Sequence, residues 1–210
     1  HSRMTLRLLM LIAACAFVAA ARKPRPVQTQ TSLILPGVKY PKKRLETRPM
    51  LGQYQDAWKF ITLNKTMHLY QRSYTGDHVY GDDVKCVVAK PLYIDNDEVI
   101  VQLTYKKKNR EEKIGSYFRK NSTDGYNTVN NVLVTSYSEN IPGFQCPMVF
   151  SDYKTCAILR MPHYETKRRP ACQLWAIGHT PKVGRCCRFT YDLLCGPTNY
   201  MVYDDETCKK

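Results

Sequence analysis

Nine cysteines in 210 residues constrain this chain more than any other feature. Cys15 lies in an apolar run over residues 8–18, behind Met4 and a short basic stretch with Arg7. Ala19-Ala20-Ala21 closes the run with small residues. That order reads as a secretory signal peptide over residues 1–21, with Met4 as its natural start. The alternative is a membrane anchor, but a bilayer span needs about 20 apolar residues. No later stretch is apolar enough to span. Cleavage removes Cys15 and leaves Cys86, Cys146, Cys156, Cys172, Cys186, Cys187, Cys195 and Cys208. An even count in an exported chain predicts four disulfides and an extracellular, secreted protein. Metal binding is the rival, and it wants Cys-x2-Cys knuckles that the sequence lacks. His68, His78, His163 and His179 show no ligand spacing either, so neither metal nor cofactor is expected. Adjacent Cys186 and Cys187 must turn to different partners.

The formal charge of +14 becomes +12 without Arg3 and Arg7. Residues 22–48 hold eight basic side chains against Glu46, so +7 sits there and +5 in residues 49–210. This stretch also has Pro24, Pro26, Pro36 and Pro41 and few core-forming residues. It reads as a basic disordered extension. One meaning is a solvated linker; the other is attachment to anionic glycan, membrane or nucleic acid. Nucleic-acid binding would want the charge on the folded part. Pro41-Lys42-Lys43-Arg44 also has the form of a processing site. An enzyme is not expected: there is no Gly-x-Ser-x-Gly, phosphate loop or metal motif.

Residues 49–210 read as a strand meander. Gln55-Asp56-Ala57-Trp58-Lys59-Phe60-Ile61 predicts one or two helical turns. Strand-like runs follow at 67–74, 84–93, 98–106, 111–118, 129–138, 148–150, 156–161 and 171–177. Turn chemistry such as Thr75-Gly76-Asp77 and Asp124-Gly125 separates them. Val99, Val101, Leu103 and Tyr105 alternate with polar neighbours. The period then changes: Cys187, Tyr191, Leu194 and Cys195 form a helical stripe that Gly196-Pro197 stops. A short strand is expected at 200–203. Eight short antiparallel strands and a late helix suit a closed barrel with room for one small ligand, with a β-sandwich as the alternative.

Several motifs in order carry a resemblance. They are Gln55-Asp56-Ala57-Trp58-Lys59, Cys156-Ala157-Ile158, Gln173-Leu174-Trp175 after fourteen residues, Cys186-Cys187, and Tyr203 before Cys208. Together they resemble the tick salivary lipocalins of the histamine-binding protein family over residues 51–208. The resemblance implies an eight-stranded antiparallel lipocalin barrel with a short N-terminal helix and a C-terminal helix packed on it. It implies Cys86–Cys208 and Cys156–Cys187, which leaves Cys172–Cys195 and Cys146–Cys186. It also implies a secreted, monomeric protein that sequesters a small host mediator, by default histamine or serotonin. A lipid mediator is the alternative ligand, and a loop-mediated inhibitor of a host protein the alternative class. Asn64-Lys65-Thr66 and Asn121-Ser122-Thr123 are glycosylation acceptors that suit such a protein.

The resemblance assigns one amine site to Tyr74, Asp77, Tyr137, Gln173 and Trp175. A buried ammonium needs a carboxylate and aromatic faces. Asp77 and the rings remain, but Gln173 stands where the family has Glu. A second family site relies on acids at positions held here by Ala157 and Cys146. The lining therefore loses charge and keeps its apolar wall, which suits an apolar ligand as well as an amine. Each residue also has a plainer reading. Trp58 plugs the barrel end, Trp175 is core, Asp77 caps its turn, and the 15 Tyr reflect strand propensity.

Overall fold

In the computed structural model, described for residues 44–108, 110–137, 143–167, 169–179 and 181–209, eight antiparallel strands close into a barrel. They are β1 (Met67–Arg72), β2 (Lys85–Ile94), β3 (Glu98–Lys107), β4 (Arg110–Asn121), β5 (Val132–Ser136), β6 (Phe144–Ser151), β7 (Cys156–Arg160) and β8 (Cys172–Ile177). Each pairs with the next, and β1 pairs with both β8 and β2. Closure leaves no long free edge. β9 (Tyr200–Met201) adds a short pairing to β1.

Strand burial follows the side-chain period of two. In β3 the inward set is Val99, Val101, Leu103 and Tyr105, the alternating residues of the sequence. β7 and β8 are buried on both faces. Their inner faces meet the core, and α2 (Arg185–Cys195) packs across the outside. Gly196 ends that helix at φ +86°, in the region that favours glycine. α1 (Ala57–Ile61) is capped by the Asp56 side chain and lays Phe60 and Ile61 into the barrel. Trp58 is only partly buried there, under Lys120, so Phe60 and Ile61 fill the end of the barrel that Trp58 was expected to plug.

Disulfides join Cys156 to Cys187 and Cys172 to Cys195, which clamps both ends of α2 to the wall. Cys86–Cys208 ties β2 to α3 (Asp205–Cys208), a short helix that the sequence pattern did not announce. The fourth expected bridge, Cys146–Cys186, is not formed. Cys146 faces Leu133 across the β5–β6 ladder and lies inside the barrel as a buried thiol. Cys186 is carried by α2, so the barrel wall separates the two.

The expected signal peptide and residues 22–43 of the basic extension lie outside the described residues. Residues 44–48 correct the extension's boundary, because they belong to the fold. A 3-10 turn over Leu45–Thr47 buries Glu46, which accepts from Arg160 Nε at 2.9 Å. Arg44 makes a two-pronged pair with Glu165 at 2.7 and 3.1 Å. Asn64 and Asn121 are both exposed, one after α1 and one at the end of β4.

Candidate functional site

The barrel encloses a small cavity of ≈ 40 Å³. One water needs about 10–15 Å³ of such space, so it holds a few waters' worth of ligand before side chains move. Its wall is largely apolar, with Met67, Leu103, Phe118, Leu133, Leu159, Met161 and Trp175. The polar groups are Tyr80, Thr135, Tyr137, Cys146 and Gln173. All of these are neutral at physiological pH. Burial raises Cys146 to about 12, and it raises Tyr80 and Tyr137 well above the ordinary phenol value.

The five residues of the expected amine site come together, but in two layers. Tyr137, Gln173 and Trp175 line the cavity, whereas Tyr74 and Asp77 stand behind Gln173. A chain of hydrogen bonds connects them. Trp175 Nε1 donates to Gln173 Oε1 at 3.0 Å, and Gln173 Nε2 donates to Tyr74 Oη at 2.6 Å. Tyr74 Oη donates to Asp77 Oδ2 at 3.2 Å. Gln fits because its amide accepts from one neighbour and donates to the next.

Asp77 is fully engaged. Its Oδ2 also accepts from Arg72 Nη1 at 3.0 Å. Its Oδ1 accepts from the backbone N–H of Val79 and Tyr80 at 2.9 and 3.0 Å, and from Tyr164 Oη at 3.4 Å. Both members of the Arg72–Asp77 pair have side chains about 1% exposed. Arg72 Nη2 meanwhile donates to the carbonyls of Gly81 and Asp82 at 2.9 Å each. The pair and its backbone partners fold the loop over 73–84 against the barrel. The turn-capping role of Asp77 is therefore present, and its charge is balanced by a cation of the protein.

Arg72 was absent from the expected site. Strict alternation from Met67 and Leu69 would turn it outward. A register shift between Leu69 and Gln71 resets the phase, and Arg72 ends opposite Gln173 in the β1–β8 ladder. Tyr80 and Tyr164 were also missed. Tyr164 stacks on Tyr74 at 4.4 Å, and Phe144 and His163 extend the ring cluster. Burial pushes Tyr164 up to about 12 and His163 below the ordinary histidine value. No sequence period links these residues, because Tyr74 and Tyr80 come from the β1–β2 connection, His163 and Tyr164 from the β7–β8 connection, and Phe144 from the start of β6.

Ala157 and Cys146, the two positions where the resemblance led us to expect the acids of a second site, are buried and uncharged. A grouping of Asp152, Cys156 and Cys187 has ligand atoms within 4.8 Å of one another, but both sulfurs are already bonded in a disulfide. Among the described residues no helix is long and apolar enough to cross a membrane.

The family model "Tick histamine binding protein" matches residues 45–210, which is most of the chain. The chain belongs to the tick histamine-binding protein family. A relative, the male-specific histamine-binding salivary protein of Rhipicephalus appendiculatus, is 29% identical over 167 residues, covering 76% of this chain and 84% of the relative. Japanin from the same tick, solved bound to cholesterol, matches with TM-score 0.51 and 18% identity, over 69% of this chain and 95% of japanin. The serotonin complex of AM182 matches with TM-score 0.51 and 13% identity, over 72% of this chain and 91% of AM182. At these identities the solved structures establish the lipocalin fold, and family membership makes the chain one of a group of small-molecule binding proteins.

Proposed function

We propose that the protein is secreted in tick saliva, sequesters a small host mediator inside the barrel without turning it over, and so blunts host defence. We further infer that the preferred ligand is a small, uncharged, ring-bearing molecule with one or two hydrogen-bonding groups. The observation that carries this is the Arg72–Asp77 pair. Asp77 is the only acid in the ligand set, and Arg72 already neutralises it at 3.0 Å. A ligand ammonium would enter a neutral, desolvated cavity without a counter-charge, at a cost of several kcal/mol. Tyr80, Tyr137, Thr135 and Gln173 can instead exchange single hydrogen bonds with a neutral guest. The volume of ≈ 40 Å³ disfavours a sterol or long acyl chain unless the wall rearranges.

A second reading, a biogenic amine, is favoured by the relative's histamine-binding name and by the assembled Tyr74, Asp77, Tyr137, Gln173 and Trp175 set. Calorimetry with matched pairs separates the two. 5-Hydroxyindole shares the ring of serotonin but lacks the ammonium, and imidazole stands in the same relation to histamine. The neutral reading expects the ring fragment to bind at least as tightly per atom as the amine. Serotonin or histamine binding ten-fold or more above its fragment overturns the neutral reading and installs the amine. Binding of arachidonic acid alone would install the lipid alternative.

A further inference from the structure

The two ends of the barrel are closed by different means. At one end α1 lays Phe60 and Ile61 into the cavity wall. Buried hydrogen bonds hold the chain just before it. Gln55 Nε2 donates to the Leu45 and Val149 carbonyls at 3.2 and 3.1 Å, and Gln55 Oε1 accepts from Tyr126 Oη at 2.8 Å. At the other end β1 and β7 finish and β6 and β8 begin, with Arg72 opposite Gln173 and Arg160 opposite Cys172. The loop over 73–84 is locked at this rim by the Arg72–Asp77 pair. Beside it lies a 3-10 turn, Pro162–Tyr164, none of whose residues is buried.

We propose that this turn is the gate of the inner cavity and that Tyr164 is the side chain that swings aside to admit a ligand. The inference rests on the reading that the ligand is held inside the barrel. The turn hangs between two fixed posts. Met161 lines the cavity, and its N–H donates to the Ala171 carbonyl at 2.8 Å. On the far side Glu165 pairs with Arg44 at 2.7 Å. The three residues between are held to the rim mainly by rings. Tyr164 stacks on Tyr74 with centroids 4.4 Å apart, and His163 stacks on Phe144 at 4.4 Å. Tyr164 Oη accepts from the His78 N–H at 3.1 Å and donates to Asp77 Oδ1 at 3.4 Å, which is long for such a bond. Swinging the Tyr164 ring out breaks the stack on Tyr74 and these two bonds. It strands no buried charge, because Asp77 keeps Arg72, Tyr74 and the backbone N–H groups of Val79 and Tyr80. Moving the 73–84 loop instead would split the Arg72–Asp77 pair inside the protein. Opening at α1 would unseat Phe60 and Ile61, which are buried. Local opening takes the segment with the fewest buried contacts, and lids turn on a few residues at element ends. Beneath Tyr164 stands Tyr74, which Gln173 of the cavity wall meets at 2.6 Å, so the opened ring leads straight to the ligand site.

The test reads Cys146, the buried thiol of the cavity, in the full chain. Methyl methanethiosulfonate is a small probe, and its addition at Cys146 is followed by peptide mass spectrometry in urea well below the unfolding range. Opening of a three-residue turn exposes little surface, so the slow wild-type labelling should barely depend on urea. Tyr164→Ala should raise the rate ten-fold or more. Tyr164→Phe keeps the ring, loses both phenol bonds and should raise it by a smaller factor. Leu193→Ala, on the exposed face of α2, should leave it unchanged. In stopped-flow mixing with 5-hydroxyindole, Tyr164→Ala should speed entry and release together, with affinity within about three-fold of wild type. The gate is overturned if Tyr164→Ala labels at the wild-type rate. It is equally overturned if wild-type labelling climbs steeply with urea, since access would then need global unfolding, or if Tyr164→Ala speeds release alone, which would make Tyr164 part of the wall. The labelling needs no ligand. A failure of 5-hydroxyindole to bind would therefore count against the neutral-ligand reading, while the thiol rates still decide the gate.

Discussion

Gln173→Glu replaces one buried amide by a carboxyl of the same shape at the centre of the hydrogen-bond chain. Gln173 is 4% exposed and joins Trp175 Nε1 at 3.0 Å to Tyr74 Oη at 2.6 Å. Protonated, the new carboxyl reproduces both bonds. Ionised, it takes the site from neutral to one net negative charge, because Arg72 already balances Asp77. An ammonium about 4 Å from that charge gains about 4 kcal/mol at an effective dielectric near 20. Desolvation of both partners takes back much of this. A surplus of about 1.4–2.8 kcal/mol is ten- to hundred-fold in affinity. Without ligand, burial raises the new carboxyl above the ordinary Glu value of about 4.3. The folded state then binds more protons than the unfolded one in the window above about pH 4, so stability falls as pH rises through it. Every tenfold weakening of the acid on folding costs about 1.4 kcal/mol once pH is above that window. The variant should match wild type at pH 4 and be less stable at pH 7.5, with serotonin or histamine restoring the difference. Urea titrations at the two pH values and calorimetry with both amines measure this. An equal stability change at both pH values, with no gain in amine affinity, would refute the claim that missing charge limits amine binding.

Trp175→Ala removes the largest ring from the cavity wall and the donor to Gln173, so it should abolish ligand binding and cost about 3–5 kcal/mol in urea titrations. Cys146, raised to about 12 by burial, should resist maleimide in the native protein and react on unfolding; rapid native labelling followed by mass spectrometry would contradict its placement. His68 and His163 are both lowered, first by burial, so the folded state binds fewer protons than the unfolded one. Stability from this source is complete above about pH 6.5 and declines as pH falls towards the folded values; His68→Gln with His163→Gln should flatten that slope.

The barrel was legible wherever burial is one-sided. β3 shows its inward set directly, since polar residues alternate with Val99, Val101, Leu103 and Tyr105. The helical stripe ending at Gly196 is equally plain and becomes α2. The sequence reading failed where a local count gives way to a tertiary contact. Glu46 looks like a lone acid in a basic linker, yet Arg160, 114 positions away, draws it into the fold. Cys146 looked like half of a bridge because an even count invites pairing. Its strand phase places it inside the barrel, where no second cysteine among the described residues lines the cavity.

The charge of the ligand site was the hardest property to read, because no single residue carries it. A Tyr-Thr-Gly-Asp run with its acid in place suggests a waiting counter-ion, and only a cation from another element can remove that meaning. Arg72 does so because one register slip in β1 rotates it to the side of Gln173. In an unslipped strand the same Arg would face outward and leave Asp77 without its charge partner. The proposed ligand preference therefore rests on a backbone irregularity as much as on the amide at position 173, and both act in the same direction. Gln173 supplies no negative charge, and Arg72 balances that of Asp77. What is left is a largely apolar, ring-bearing wall in which the one buried acid of the expected set is already paired.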